Sequence, residues 1–374
     1  MGKVSDLREI RIGIIGLGGM AGEHVKHLEK LEAVRVSAVC DTNAESVERF
    51  ARKLGIELEH CHRDYVSLVA DPDVDAVLSI TPNDVHYRIL ECCLQFRKPF
   101  MTEKPFTRTY EEALDLYRQH LSDPGVPGMV GFSYRYVPSF RYARDLIRSG
   151  AIGTVRSVFV QYLQSWGVPM FGTPMNWRYE RAITGTGALA DLGSHMVDAA
   201  RFIIGEFREV AAHLNTFISR RPDPRSGGEG TVDVDDFAGF LALLDGGVSG
   251  VFQTSRNAYG SGNQLELTIH GDLGTIKVGC EKPEELVWIR RQTESDNPSS
   301  SVTEARRVPA SYELSQMQDF VDMLRGRVRE ELPSLVDGYE NQKVLEAIIR
   351  AAEERRTVSL ADISSPIAAS EGAG

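Results

Sequence analysis

Cysteine is scarce and unpatterned in this sequence. There are five, Cys40, Cys61, Cys92, Cys93 and Cys280, with no CxxC pair and no HExxH run. An odd, unpaired count argues against a disulfide scaffold and for a reducing, cytoplasmic setting. It also supplies no familiar ligand spacing, so no metal is expected. Long apolar runs are missing as well: nothing approaches the roughly 18 residues of a membrane span. The opening MGKVSDLREI has no apolar core of a secretory signal, and Asp6 stands where a myristoylation motif carries Ser or Thr. Positive charge is in deficit, with 42 Lys and Arg against 53 Asp and Glu and a net charge of −11. A surface of that sign is repelled by phosphate backbones and anionic bilayers, which argues against nucleic acid and membrane as partners.

What is present is globular composition over 374 residues, enough for two domains. The first ~130 residues alternate short apolar runs with amphipathic stretches. Strands are expected at 11–15, 35–40, 76–80, 99–102 and 129–132. Ala21, Val25, Leu28 and Leu31 recur at helical spacing, as do Val47, Phe50, Ala51 and Leu54, with Gly55 placed as a C-terminal cap. This alternation predicts parallel βαβ units in one doubly wound sheet. Beyond residue 133 the pattern changes to a helix near 138–149, a strand near 155–164, a helix near 188–204, and then strands near 209–219, 235–244, 247–255, 264–270 and 274–280. The fold class expected is α/β: an N-terminal Rossmann domain, residues 1–133, and an α+β domain with an open, mostly antiparallel sheet, residues 134–374. Segments 219–230, 293–302 and 363–374 read as loops or tail. Two late helices are expected at 314–324 and 339–355.

Gly16-Leu17-Gly18-Gly19-Met20-Ala21 fits GxGxxG/A between a predicted strand and a predicted helix, and Asp41 ends the next strand about 20 residues on. That combination is the dinucleotide fingerprint. Gly16 permits the tight turn, Gly18 lets a pyrophosphate approach the backbone, and the helix N-terminus offers N–H groups to the anion. Asp41 would accept hydrogen bonds from the adenosine ribose hydroxyls, and neither Thr42 nor Asn43 supplies a cation for a 2′-phosphate. The expected cofactor is therefore NAD rather than NADP. Asp41 would equally serve as a cap of the helix that follows.

Thr81-Pro82-Asn83-Asp84-Val85-His86 follows the fourth strand, Glu103-Lys104-Pro105 ends the fifth, and Asp191-Leu192-Gly193-Ser194-His195 comes later. With these motifs in this order, the sequence resembles the glucose–fructose oxidoreductase/inositol dehydrogenase/rhizopine-catabolism (Gfo/Idh/MocA) family over nearly its whole length. The resemblance implies hydride transfer between nicotinamide and a secondary hydroxyl of a cyclitol, sugar or sugar derivative. Lys104, Asp191 and His195 would be the catalytic set: His195 as base, Asp191 as its orienter and hydroxyl acceptor, Lys104 beside the reacting oxygen. Gly16, Gly18, Gly19, Met20, Asp41, Thr81, Asn83, His86 and Glu103 would contact the cofactor, although His86 fits a helix start equally well. Tyr136, Trp177 and Arg178 would line the substrate cleft or pack an interface. Some relatives are similar to NAD-dependent glycosidases that oxidise transiently, and others are non-catalytic nucleotide-binding sensors; the three retained polar residues argue against the sensor. A homodimer or homotetramer is expected from family habit.

From the residues alone, Asp191 and His195 lie four apart, on one face of a helix, while Leu189, Leu192, Met196, Ala199 and Ile203 form a separate core stripe.

Overall fold

The computed structural model describes residues 8–292 and 300–363. The chain divides into two compact units: Met1–Gly131 with Ser315–Tyr339, and Phe132–Leu314 with Glu340–Gly374. The sequence reading kept everything after residue 133 in one domain. The structure instead returns a segment of 25 residues, Ser315–Tyr339, to the first unit. Its backbone explains why: the Val130 N–H donates to Pro333 O at 2.8 Å, and Met129 bridges Ser334, so the segment closes the edge of the first sheet.

In the first unit, β1 (Ile10–Ile15), β2 (Val34–Cys40), β3 (Cys61–His62), β4 (Ala76–Ser79), β5 (Phe100–Thr102) and β6 (Gly128–Val130) form one parallel sheet in the order β3-β2-β1-β4-β5-β6. Helices α1 (Ala21–Leu28), α2 (Ala44–Leu54), α3 (Tyr65–Ala70), α4 (Asn83–Gln95) and α5 (Tyr110–Ser122) connect the strands. β1 and β4 read as continuous apolar runs because both of their faces are covered; Ile12, Ile14, Val77 and Leu78 are fully buried. Gly55 ends α2 in the left-handed region at φ 67°, the cap its position predicts. The strand order reverses between β1 and β4, and ligands of such sheets bind outside the carboxyl ends at that switch.

The second unit holds α6 (Pro138–Arg148), α7 (Arg181–Thr184) and α8 (Ser194–Ile203), with strands β7 (Val155–Leu163), β8 (Phe207–Asn215), β9 (Arg220–Asp223), β10 (Gly228–Thr231), β11 (Phe237–Leu244), β12 (Val248–Ser255), β13 (Gln264–Gly271), β14 (Gly274–Gly279), β15 (Glu285–Arg291), β16 (Ser301–Arg307) and β17 (Val358–Ser359). Nine of these make one mixed sheet, in which only β7 and β12 pair in parallel. Segment 219–230, read as a loop, is a two-stranded hairpin of β9 and β10. Gly227, at φ 69°, and Asp223, accepting from Arg225 N–H at 3.0 Å, make its turn. Strand β16 escaped the sequence reading because it alternates exposed and half-exposed residues with little apolar content, and β15 was left unassigned despite its apolar run Leu286–Ile289. Ser301 and Val302, taken as loop, lie in β16; residues 293–299, and the tail beyond Ile363, fall outside the described residues.

Candidate active site

Three motifs stand side by side at the carboxyl edge of the first sheet. The Gly16 N–H donates to Cys40 O at 2.9 Å, the Ile80 N–H to Ile15 O at 2.7 Å, and the Glu103 N–H to Ser79 O at 2.9 Å. The ends of β2, β1, β4 and β5 are thereby in register. Gly16 has φ 91°, and a Cβ there would sit 2.3 Å from Ile80 O, so no other residue fits the turn. Gly18 and Gly19 are exposed, and a Cβ on either would meet nothing within 4 Å. The turn thus offers a bare backbone at the head of α1, with Met20 exposed beside it. These residues fit the pyrophosphate of a dinucleotide.

Asp41 accepts from the Leu17 N–H at 2.7 Å and the Asn43 N–H at 2.8 Å. It does not cap α2; Asn43 does, accepting from the Ser46 N–H. Asp41 therefore braces the glycine turn from the neighbouring strand end. Sequence adjacency missed two cations here: Arg49 reaches Leu17 O at 3.4 Å, and Arg63 donates to Thr42 O.

His86 is wholly buried, its Nδ1 2.9 Å from Pro105 O and its Nε2 3.0 Å from Thr81 O. Burial holds its pKa below the usual histidine value against the opposing pull of those carbonyls. With no exposed surface it has none to offer a ligand, so the cofactor-contact expectation is corrected: His86 ties the Thr81 loop to the Lys104–Pro105 cis peptide. Asn83 is buried at the start of α4, and Thr81 Oγ1 lies 3.3 Å from Ser79 Oγ. Burial pushes the Glu103 carboxyl up, but the His24 hydrogen bond and charge, with the Lys104 charge, outweigh it and hold it below the usual range. His24 Nε2 lies 2.8 Å from Glu103 Oε1, joining α1 to the strand end that carries Lys104.

In the second unit, Asp191 sits in a wide π-helical turn, Leu189–Gly193, that opens α8, and His195 lies in the first turn of α8. The uninterrupted α-helix expected over this stretch is corrected on that point; such bulges mark functional sites often. The stripe of Leu189, Leu192, Met196, Ala199 and Ile203 is buried. His195 is 7 % exposed, with the Tyr134 ring edge-on at 4.6 Å and the Tyr162 ring at 6.2 Å. The two phenol oxygens are 2.6 Å apart, Tyr162 donates to Asn263 Oδ1 at 2.7 Å, and Asn263 Nδ2 donates to Tyr134 at 2.7 Å. Burial pushes both phenols up, so they stay neutral hydroxyls. Asp191 Oδ2 accepts from Arg256 Nη2 at 3.1 Å. Arg178 lies over the Trp177 ring at 4.3 Å, and Arg141 over the Tyr136 ring at 5.8 Å, so all three substrate-cleft candidates are half-buried beside a stacking partner.

Sequence reasoning missed Arg256, Asp235, Tyr162 and Asn263 as neighbours of Asp191 and His195, because strand pairing rather than spacing brings them in. It also missed a group in the first unit, where His60, Asp71 and Asp73 hold ligand-type atoms within 4.8 Å of one another. Asp71 is shared there by His60 at 2.8 Å and His62 at 3.0 Å.

Residues 10–132 match the oxidoreductase family with an NAD-binding Rossmann fold, and residues 140–277 match the GFO/IDH/MocA C-terminal domain. The chain is 31% identical to levoglucosan dehydrogenase of Pseudarthrobacter phenanthrenivorans over 87% of this chain and 90% of that protein. It is 25% identical to inositol 2-dehydrogenase of Rhizobium meliloti over 87% and 92%. A solved structure of levoglucosan dehydrogenase with NADH and L-sorbose superposes with a TM-score of 0.85 at 29% identity, covering 96% of this chain and all of that one. The strand order, the glycine turn and these likenesses agree: the chain belongs to the Gfo/Idh/MocA family of NAD-binding oxidoreductases.

Proposed function

We propose that the chain is an NAD-dependent dehydrogenase that oxidises a secondary hydroxyl of a sugar, with an anhydrosugar of the levoglucosan type as the first substrate to try. The observation that carries this reading is the setting of His195, a nearly buried imidazole one helical turn from Asp191 and walled by two neutral phenols. Such a wall excludes water while presenting hydroxyl groups to a polyol. Bound NAD supplies the hydride acceptor. His195 takes the hydroxyl proton, Asp191 accepts a hydrogen bond from the sugar, and Lys104 steadies the charge growing on the reacting oxygen. Gly16, Gly18, Gly19 and Met20 seat the pyrophosphate, Asp41 the adenosine ribose, and Thr81, Asn83 and Glu103 border the nicotinamide side. Tyr136, Trp177 and Arg178 hold the remaining hydroxyls.

The reading extends to assembly and location. Leu241, Val251 and Phe159 are 59%, 41% and 50% exposed, and they are in register across β11, β12 and β7. A row of that kind on an open sheet face supports a homodimer or homotetramer. The five cysteines are unpaired, which suits the cytoplasm. No helix among the described residues is long and apolar enough to cross a membrane.

A panel of levoglucosan, L-sorbose, myo-inositol and aryl glycosides, followed by reduced-nicotinamide absorbance and product chromatography, tests the function. Absorbance is expected to grow on a free polyol. Aglycone release without that growth marks a glycosidase, and silence across the panel with cofactor bound marks a sensor. With NADP the kcat/KM is expected to fall by about tenfold or more, since Asp41 repels a 2′-phosphate and the nearby Arg49 and Arg63 each already donate to a backbone carbonyl, of Leu17 and Thr42. Equal efficiency with both cofactors contradicts that preference.

A further inference from the structure

Arg256, just beyond β12, is the largest fully buried side chain among the described residues. A guanidinium taken wholly out of water requires full hydrogen bonding or a countercharge. Its Nη2 donates to Asp191 Oδ2 at 3.1 Å and to Gly187 O at 2.9 Å, and its Nη1 donates to Arg178 O at 3.1 Å. Its carbon centre lies 5.1 Å from the Trp166 ring centroid and 5.9 Å from that of Tyr179. Asp191, with a side chain 20% exposed, gives Arg256 its carboxylate partner and still reaches solvent.

The same turn is held from its other side. The Gly187 and Leu189 N–H groups donate to Asp235 at 2.6 and 2.8 Å, and the Ala188 N–H donates to Asp235 O at 2.9 Å. A Cβ on Gly187 would lie 1.7 Å from Asp235 O, so this approach requires glycine. Gly187 O also accepts the Asp191 N–H at 3.1 Å. One guanidinium thus binds both the carbonyl at the root of the π-helical turn and the carboxylate at its crest. It binds in addition the carbonyl of Arg178, in the segment read as holding the sugar.

We propose that Arg256 is a positioning residue that aims the Asp191 carboxylate and sets it in register with the Trp177–Arg178 segment, so that its contribution is made through Asp191. The proposal rests on the active-site reading given above. A planar fork is needed: a lysine ammonium keeps the charge but cannot span three acceptors or fill the slot between two rings.

The test is a double-mutant cycle of Arg256→Lys and Asp191→Asn, with levoglucosan and NAD or with whichever polyol of the panel gives turnover. Arg256→Lys retains the buried charge and is expected to lower kcat about 10²-fold, the loss that a misplacement of about 1 Å brings. NADH binding, read by fluorescence titration, is expected to stay unchanged, because the glycine turn is left unaltered. Against an Asp191→Asn background the Arg256→Lys change is expected to cost little more. Trp166→Leu, which removes one wall of the slot and leaves the charge, is a second variant; it is expected to lower kcat in the same direction and carries the test if Arg256→Lys melts below the assay temperature. Wild-type kcat in the variant that folds, or losses that multiply through the cycle, would overturn the positioning role. Wild-type turnover in Asp191→Asn itself would instead sink the active-site reading, so the two failures are distinguishable.

Discussion

Replacing His195 with Ala is expected to lower kcat about 10²–10⁴-fold, the worth of a positioned proton acceptor. The effect should fall on kcat rather than on NAD affinity, because the glycine turn that seats the dinucleotide is left unaltered. The substrate KM should change little, since the imidazole acts on the proton that leaves and the hydroxyls elsewhere on the sugar supply most of the binding. The surroundings add to the cost. With Tyr134 edge-on at 4.6 Å and His195 only 7% exposed, bulk water is poorly placed to substitute as base. Steady-state kinetics of the purified variant, with NADH binding as the control for folding, checks this. Unchanged turnover would remove His195 from the mechanism.

The second large effect is on stability. Asp198, one turn beyond His195 on α8, accepts from Arg135 Nε at 2.9 and 3.1 Å and from Arg135 Nη2 at 2.6 Å. The two side chains are 5% and 1% exposed. Arg135 also lies 5.5 Å from the Phe202 ring and 5.9 Å from the Phe132 ring. Asp198→Ala takes this carboxylate from beside a buried guanidinium, which is expected to destabilise the second unit by about 3–5 kcal/mol. Asp198→Asn keeps part of the hydrogen bonding and should cost less. Urea unfolding followed by tryptophan fluorescence measures both, all three tryptophans (Trp166, Trp177 and Trp288) being in the second unit. An unchanged midpoint for Asp198→Ala would show that the pair contributes nothing net.

The Rossmann half was legible because its signals are local. Buried parallel strands are continuous apolar runs, and the glycine turn lies between a strand and a helix where the fingerprint requires it. Asp191 and His195 were read as an i, i+4 pair on one face of an α-helix, but the π-helical turn that carries Asp191 was not legible. That turn is made by Asp235 and Arg256, 44 and 65 positions further on, which only strand pairing brings close. The Val-Asp-Val-Asp-Asp run at 232–236, charged where a strand should start, was the one available hint. His86 misled for a similar reason: a histidine after a strand end resembles a cofactor-facing residue until the Pro105 carbonyl is seen on its ring. Residues 315–339 show the limit of reading domains in order along a chain, because edge pairing with β6 is invisible to composition.

The central proposal is that His195 takes the proton of a hydroxyl of the bound sugar, with Asp191 holding that sugar. A crystal structure with NADH and levoglucosan, or the polyol that the panel selects, tests it most directly. The expected result is a ring nitrogen of His195 within about 2.6–3.2 Å of a sugar hydroxyl oxygen, with the Asp191 carboxylate accepting from the same sugar. A sugar bound with the His195 imidazole turned away from every hydroxyl would contradict the account.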